Sequence, residues 1–131
     1  LRLQPLTICD TGHNSHGIRY VANQLQTLIS EGHTLRIVFG MVNDKDVDVV
    51  MRLMPTEAVY YFTQAATHRA IPAQEMCTLW NSLHTHFPAQ HNAAYTSVAE
   101  AVHAAQTDAT DTDVIFIGGS NYVVGEALQL F

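Results

Sequence analysis

The seam at residues 10–15 constrains this chain more than any other stretch. Before it, Leu6-Thr7-Ile8-Cys9 is short, apolar and β-branched, the pattern of a buried strand. After it, Ile18, Val21, Ala22, Leu25, Leu28 and Ile29 recur at helical spacing and share one face. Asp10-Thr11-Gly12-His13-Asn14-Ser15 is therefore a turn from strand to helix. In an open α/β sheet such turns lie on the ligand-binding edge. A carboxylate, an imidazole and a carboxamide leave the sheet there together, beside the free amides of a helix start. Asp, Asn and Ser are also good helix caps and Gly suits a turn, so capping alone explains the same letters.

The alternation continues along the chain. Thr34 to Phe39 reads as a second strand closed by Gly40, with Gly32 as the stop of the first helix. Asp44 or Asp46 caps the next helix, where Val47, Val50, Met51 and Met54 share a face until Pro55 ends it. Ala58 to Phe62 forms a third strand within Glu57 to Thr63. Pro72 suits the first turn of a third helix, whose inward face is Met76, Leu79, Trp80, Leu83 and Phe87. Ala93-Ala94-Tyr95 is a short fourth strand, and Ser97 caps a helix that turns Val98, Ala101, Val102 and Ala105 inward. Asp113 to Ile117 is the last strand, meeting Gly118-Gly119-Ser120 and a helix from about Tyr122. Strands joined by helices pair in parallel with right-handed crossovers. The expected fold is thus α/β: a Rossmann-like, three-layer domain with a mostly parallel sheet and helices on both faces. Every polar strand-end turn then falls on one edge: 10–14, 40–45, 63–69, 96–97 and 118–120.

Composition narrows the function. With 131 residues, 47% apolar and 14% charged, the chain suits one packed domain and not a disordered one. Six Lys+Arg against twelve Asp+Glu give a net charge of −6 and no basic stripe, which argues against nucleic-acid binding. No apolar run approaches the roughly 20 residues that span a bilayer, and Leu1 to Asp10, without a charged n-region and a long h-region, is not expected to be a signal peptide. The cysteines, Cys9 in a strand and Cys77 in a helix, read as buried thiols of a reducing compartment. Eight histidines suggest metal, but the densest group, His84, His86 and His91, is broken by Phe87-Pro88 and has no Cys or acidic residue at zinc spacing. No metal site is expected.

Asp10-Thr11-Gly12-His13-Asn14 resembles the Asp-x-Ala-His-Asn-Pro signature that opens the C-terminal domain of the folylpolyglutamate synthase/dihydrofolate synthase family, in the Mur ligase superfamily. Three matches follow in family order. They are Val38-Phe39-Gly40 leading to Asp44-Lys45-Asp46, then Arg69-Ala70, then Gly118-Gly119-Ser120 with Tyr122-Val123-Val124-Gly125-Glu126. The resemblance runs from about Pro5 to Leu128, with Gly12 in place of the usual Ala and Ser15 in place of Pro.

That resemblance implies site residues. Asp10 is expected to contact ATP, accepting from ribose hydroxyls or orienting a metal-bound phosphate, and to act with His13 in catalysis. His13 is expected beside the transferring phosphate or the incoming amino acid. Asn14 is assigned to the nucleotide, with helix capping as its other reading. Lys45 is expected to hold the acidic amino acid, where otherwise it is a surface ion pair worth about 0–1 kcal/mol. Ser120 offers a hydroxyl and helix-start amides to a carboxylate. Arg69 is either a substrate contact or a cap on the sheet edge.

The implied activity is that of an ATP-dependent amide ligase. ATP phosphorylates a folate γ-carboxylate, the amine of L-glutamate attacks the acyl phosphate, and the tetrahedral intermediate collapses to amide and phosphate. The cofactors implied are ATP and Mg2+, the partners folate, L-glutamate and an N-terminal domain of the same protein. A cytoplasmic protein, monomeric as the full-length enzyme, is expected, without nucleic-acid or membrane partners. Residues 1–131 are expected to be the C-terminal, glutamate ligase domain, cut from a longer protein, because Leu1 to Pro5 lead straight into a core strand. The family's P-loop and magnesium ligands belong to the preceding domain, and no Gly-x-x-x-x-Gly-Lys-Ser/Thr pattern occurs here. The family's arginine upstream of the signature is not matched by Arg2, which lies too near Asp10. The isolated domain is expected to be inactive. The alternatives are a Mur-type cell-wall ligase, which Asp44-Lys45-Asp46 and Gly119-Ser120 disfavour, and a non-catalytic α/β ligand-binding module such as a receiver domain, whose acidic cluster is missing.

Overall fold

Five strands and five helices alternate in a computed structural model that describes residues 6–10, 15–43, 47–84 and 92–131. Strands β1 (Leu6–Asp10), β2 (Leu35–Phe39), β3 (Val59–Phe62), β4 (Asn92–Ala94) and β5 (Val114–Gly118) form one sheet. Its order is β1-β5-β2-β3-β4, and every pairing is parallel. Helices α1 (Ser15–Ser30), α2 (Val47–Leu53) and α3 (Ala73–Leu83) follow the first three strands, α4 (Val98–Asp108) the fourth and α5 (Asn121–Leu128) the last.

The order explains the layers. From β1 to β2 to β3 to β4 the chain always moves the same way across the sheet; from β4 to β5 it moves back. Right-handed crossovers therefore put α1, α2 and α3 on one face and α4 on the other. The cores agree. One cluster joins Ile18, Val21 and Leu25 of α1 and Met51 of α2 with Met76 and Trp80 of α3, over Leu35, Ile37, Phe39, Tyr60, Phe62 and Phe116. The other joins Val98, Ala101, Val102 and Ala105 of α4 with Val123 and Ala127 of α5, over Val38, Tyr61, Ile115 and Ile117. Alternation along each strand sends neighbours to opposite faces, which is why β5 is apolar throughout and β2 is apolar but for Arg36.

Local signals operate largely as read. Gly32, at φ 93°, ends α1. Its N–H donates to the Ile29 carbonyl and the His33 N–H to that of Leu28, the double closure of a Schellman motif. Ser97 Oγ accepts from Glu100 N–H and caps α4. Pro72 sits at the N-cap of α3, ahead of the first turn instead of inside it. Strand β5 begins at Val114, because Asp113 turns aside to bind its own loop and β2. Its carboxylate accepts from Thr110 N–H at 3.0 Å and from Arg36 Nε at 2.9 Å. Burial pushes the Asp113 carboxyl up, but those bonds outweigh it and hold it below the usual carboxylate range. Arg36 Nη1 also donates to Tyr61 Oη, which in turn donates to Asp108, and burial first, then that last bond, pushes the Tyr61 phenol up to about 12. The proposed caps Asp44 and Asp46 and the inward Phe87 lie outside the described residues. Cys9 is half-buried, Cys77 is buried, and both are free thiols.

Candidate functional site at the carboxyl edge of the sheet

Register brings the strand ends level. Asp10 pairs with Gly118, Gly118 with Phe39, Phe39 with Phe62 and Phe62 with Ala94. The residues that leave this row, among them Gly119, Gly40, Thr63 and Tyr95, therefore emerge on one edge. The helices beyond them diverge: β1 and β2 feed α1 and α2 on one face, while β5 between them feeds α5 on the other. That divergence makes a topological switch point, and the crevice beside β5 is where open α/β sheets bind ligands.

The turn out of β5 is built by close backbone approach. Gly119 adopts φ 104°, a region that L side chains rarely enter. Its neighbour Gly40 donates its N–H to the Gly118 carbonyl at 3.3 Å. Ser120 then caps α5: its Oγ accepts from Val123 N–H at 3.1 Å. At 2% exposure Ser120 is more enclosed than a free hydroxyl donor would be. The exposed first-turn residues Asn121 and Tyr122 precede the first intrahelical bonds, so their amides are the open donors of this helix start.

Asp10 ends β1 half-buried and engaged in polar interactions. It lines a cavity of about 450 Å³ between β1 and α1, with Ile8, Tyr20, Gln24, Leu28 and Phe116. Burial pushes the thiol of the adjacent Cys9 up, away from a reactive thiolate. Arg69 is exposed on the loop from β3 to α3. That loop is stitched to the exit of β2 by Asn43 N–H to the Arg69 carbonyl at 2.8 Å and by Ile71 N–H to the Met41 carbonyl at 2.9 Å. A second cavity, about 410 Å³, lies under it, lined by Asn43, Val47, His68, Arg69 and Glu75. Asn43 and Val47 are the described residues that flank Lys45 in sequence. Asp10, Arg69 and Ser120 thus share the sheet's carboxyl edge, but Asp10 and Arg69 line different cavities. His13, Asn14 and Lys45 lie outside the described residues.

Two residues at this edge escaped the sequence. Thr63 is fully buried at the exit of β3, and its hydroxyl has no hydrogen-bond partner among the described residues. Glu126, half-buried on α5, accepts from Ala66 N–H at 2.7 Å. Glu126 stood in a matched motif, but nothing local reveals a partner that far along the chain. Among the described residues, no group of three His, Cys, Asp or Glu is placed to hold a metal ion, and no helix is long and apolar enough to cross a membrane.

A wholly parallel, doubly wound sheet with a carboxylate, a helix start and an exposed arginine along its switch-point edge defines an α/β domain of the Rossmann-like class. The chain belongs to the Mur ligase family as its glutamate ligase domain, whose family model matches residues 2–121. The resemblance drawn from Asp10 to Asn14 and its companion motifs therefore holds. A dihydrofolate synthase/folylpolyglutamate synthase of Haemophilus influenzae is 30% identical over 125 residues, covering 93% of this chain and 28% of that protein. A solved bifunctional folylpolyglutamate synthase/dihydrofolate synthase from Yersinia pestis, complexed with AMPPNP and Mn ion, matches with TM-score 0.78 at 26% identity, over 97% of this chain and 28% of its own. A further solved bifunctional folylpolyglutamate synthase/dihydrofolate synthase, with Mn, AMPPNP and L-glutamate bound, matches with TM-score 0.75 at 27% identity, over 99% of this chain and 30% of its own. The chain thus spans less than a third of the relatives it matches.

Proposed function

We propose that residues 1–131 are the C-terminal domain of an ATP-dependent ligase that adds L-glutamate to a folate, as a folylpolyglutamate synthase, a dihydrofolate synthase or both. The observation that carries this reading is membership of the glutamate ligase domain family over residues 2–121. It is supported by relatives of that activity along nearly the whole chain and by a similar solved structure whose bound molecules are AMPPNP, Mn and L-glutamate. An N-terminal domain of the same protein supplies the phosphate loop and the magnesium ligands. The protein works in the cytoplasm as a monomer.

The chemistry divides over the edge. Asp10 and Asn14 are assigned to the nucleotide, where a carboxylate accepts from ribose hydroxyls. His13 stands by the acyl phosphate as the glutamate amine attacks it. Lys45, Arg69 and the Ser120 end of α5 bind the carboxylates of glutamate, Lys45 as a point charge and Arg69 as a planar fork. Because Ser120 Oγ is enclosed and already accepts from Val123 N–H, what this end of α5 offers a ligand is the amides of Asn121 and Tyr122. The reaction needs charge neutralisation and near-attack placement of an amine, and no protein nucleophile. Magnesium, when bound with the nucleotide, would supply charge neutralisation at the phosphates from ligands in the N-terminal domain. The described donors of this chain do not make a metal site, and none of these roles passes through the ion.

The test is ligation of glutamate to a folate, with phosphate release followed in parallel. The full-length protein should turn over only when ATP, folate and glutamate are all present, and the 131-residue chain should fold yet show no turnover. Clear turnover by the chain alone, or a full-length protein that ignores folate, would overturn the proposal.

A further inference from the structure

Glu126 makes a contact that none of these roles uses. It lies in the second turn of α5, beyond Ser120, and its Oε2 accepts from Ala66 N–H at 2.7 Å. Ala66 belongs to the segment 63–72 that carries Arg69. On its far side this segment is tied to the exit of β2 through Asn43 and Ile71, and Gln64 Oε1 accepts from Ala73 N–H at 2.8 Å, fixing the start of α3. Within it, Ala70 N–H donates to the Thr67 carbonyl and Thr67 N–H to that of Ala65, so Ala66 and Arg69 belong to one internally bonded turn. Among the described hydrogen bonds, Glu126 is the one side chain of α5 that reaches it.

We propose that Glu126 is a positioning residue: its bond to Ala66 sets Arg69 at a fixed distance from the Ser120 end of α5, so that both grip one amino-acid substrate. This rests on the assignment of Arg69 and Ser120 to that substrate made above. A carboxylate holding a backbone N–H is a charge-assisted bond, stronger than the neutral bonds along the rest of the loop. Without it the loop stays anchored to β2 and the fold persists, but its spacing from α5 is no longer set. Misplacement of a binding group by about 1 Å is enough to weaken binding severalfold or more.

Four variants of the full-length ligase test this: Glu126→Ala, Glu126→Gln, Arg69→Ala and the double Glu126→Ala/Arg69→Ala. Glu126→Ala and Arg69→Ala should each raise the KM for L-glutamate about tenfold, with kcat and the KM for ATP within about twofold. Glu126→Gln keeps an acceptor oxygen and should stay within about threefold of wild type. The double variant should be no worse than Arg69→Ala, because both act through one group. If Arg69→Ala raises the glutamate KM while Glu126→Ala lowers only Tm, Glu126 is a structural clamp and the inference falls. An unchanged glutamate KM in Arg69→Ala instead removes the role given to Arg69. Equal loss in the Gln and Ala variants would also overturn positioning by this hydrogen bond. Should Glu126→Ala not accumulate, Glu126→Asp, one methylene short of Ala66, carries the same expectation.

Discussion

A Cβ placed on Gly119 runs into the carbonyl oxygen of Gly40. The exits of β2 and β5 therefore pass in direct backbone contact, and Gly119 holds φ 104° while they do so. Gly119→Ala meets both penalties at once. It should cost about 2 kcal/mol or more, from the positive φ and from the displaced Gly40 strand end. Urea unfolding of the chain measures this; a loss below about 0.5 kcal/mol would mean that the turn adjusts freely.

Asp10 and His13 should act on chemistry and leave the fold intact. Asp10→Asn keeps most polar geometry at the end of β1, so stability should fall by no more than about 1 kcal/mol. It removes a negative charge beside the nucleotide, so kcat of the full-length enzyme should drop roughly a hundredfold. His13→Ala should lower kcat as well. Thermal unfolding of the chain paired with full-length turnover decides between a chemical and a capping role, since near-normal turnover leaves either residue a cap.

Lys45→Ala should raise the KM for glutamate more than the KM for ATP. A charged hydrogen bond to a carboxylate is worth about 1.5–3 kcal/mol, which corresponds to roughly ten- to hundredfold. An unaltered glutamate KM would leave Lys45 a surface ion pair.

Thr63→Val should stabilise the chain. The Thr63 hydroxyl is fully buried without a partner among the described residues, and the valine methyl fills the same volume without that desolvation cost. A gain of about 1 kcal/mol is expected in urea unfolding. A loss would reveal a hydrogen bond to the Thr63 hydroxyl that the described contacts do not contain.

The Arg36–Asp113 pair predicts the acid limb. The Asp113 carboxyl titrates below its unfolded value, so its contribution is full above about pH 3.9 and is lost as pH falls through the folded value. Asp113→Asn should cost about 3 kcal/mol at neutral pH, since Arg36 is only 16% exposed and loses its charged partner, keeping only Tyr61. Below pH 3.9 the variant and the wild type should converge in urea unfolding. Parallel curves from pH 6 to strong acid would refute the assignment.

What the sequence disclosed was local chemistry. Ser97 and the inward Val98, Ala101, Val102 and Ala105 could be read because a cap and a helical face lie within a few residues of each other. Gly32 was legible for the same reason. The placement of β5 between β1 and β2 was not, because parallel strands carry no turn that names their neighbour. The motif residues Asp10, Arg69 and Ser120 reached one edge as strand polarity requires. Their division between separate cavities depends on loop paths such as the tie from Asn43 to Arg69, which no periodicity encodes. The ties from Arg36 to Asp113 and from Ala66 to Glu126 join residues far apart in the chain, beyond any window that pattern reading uses.

The insertion of β5 also sets an order of assembly. Among the described strands β1 hydrogen-bonds to β5 and to no other, and β5 is also the bridge from β1 to β2. Until Val114–Gly118 has left the ribosome, β1 lacks its partner among the described strands and the two halves of this sheet cannot join. Such long closures are slow, because their entropy is lost before the contacts reward it. During synthesis Leu6–Asp10 therefore waits for its sheet partner through most of the described length, and the carboxyl edge from Asp10 to Ala94 is complete only once β5 is in place.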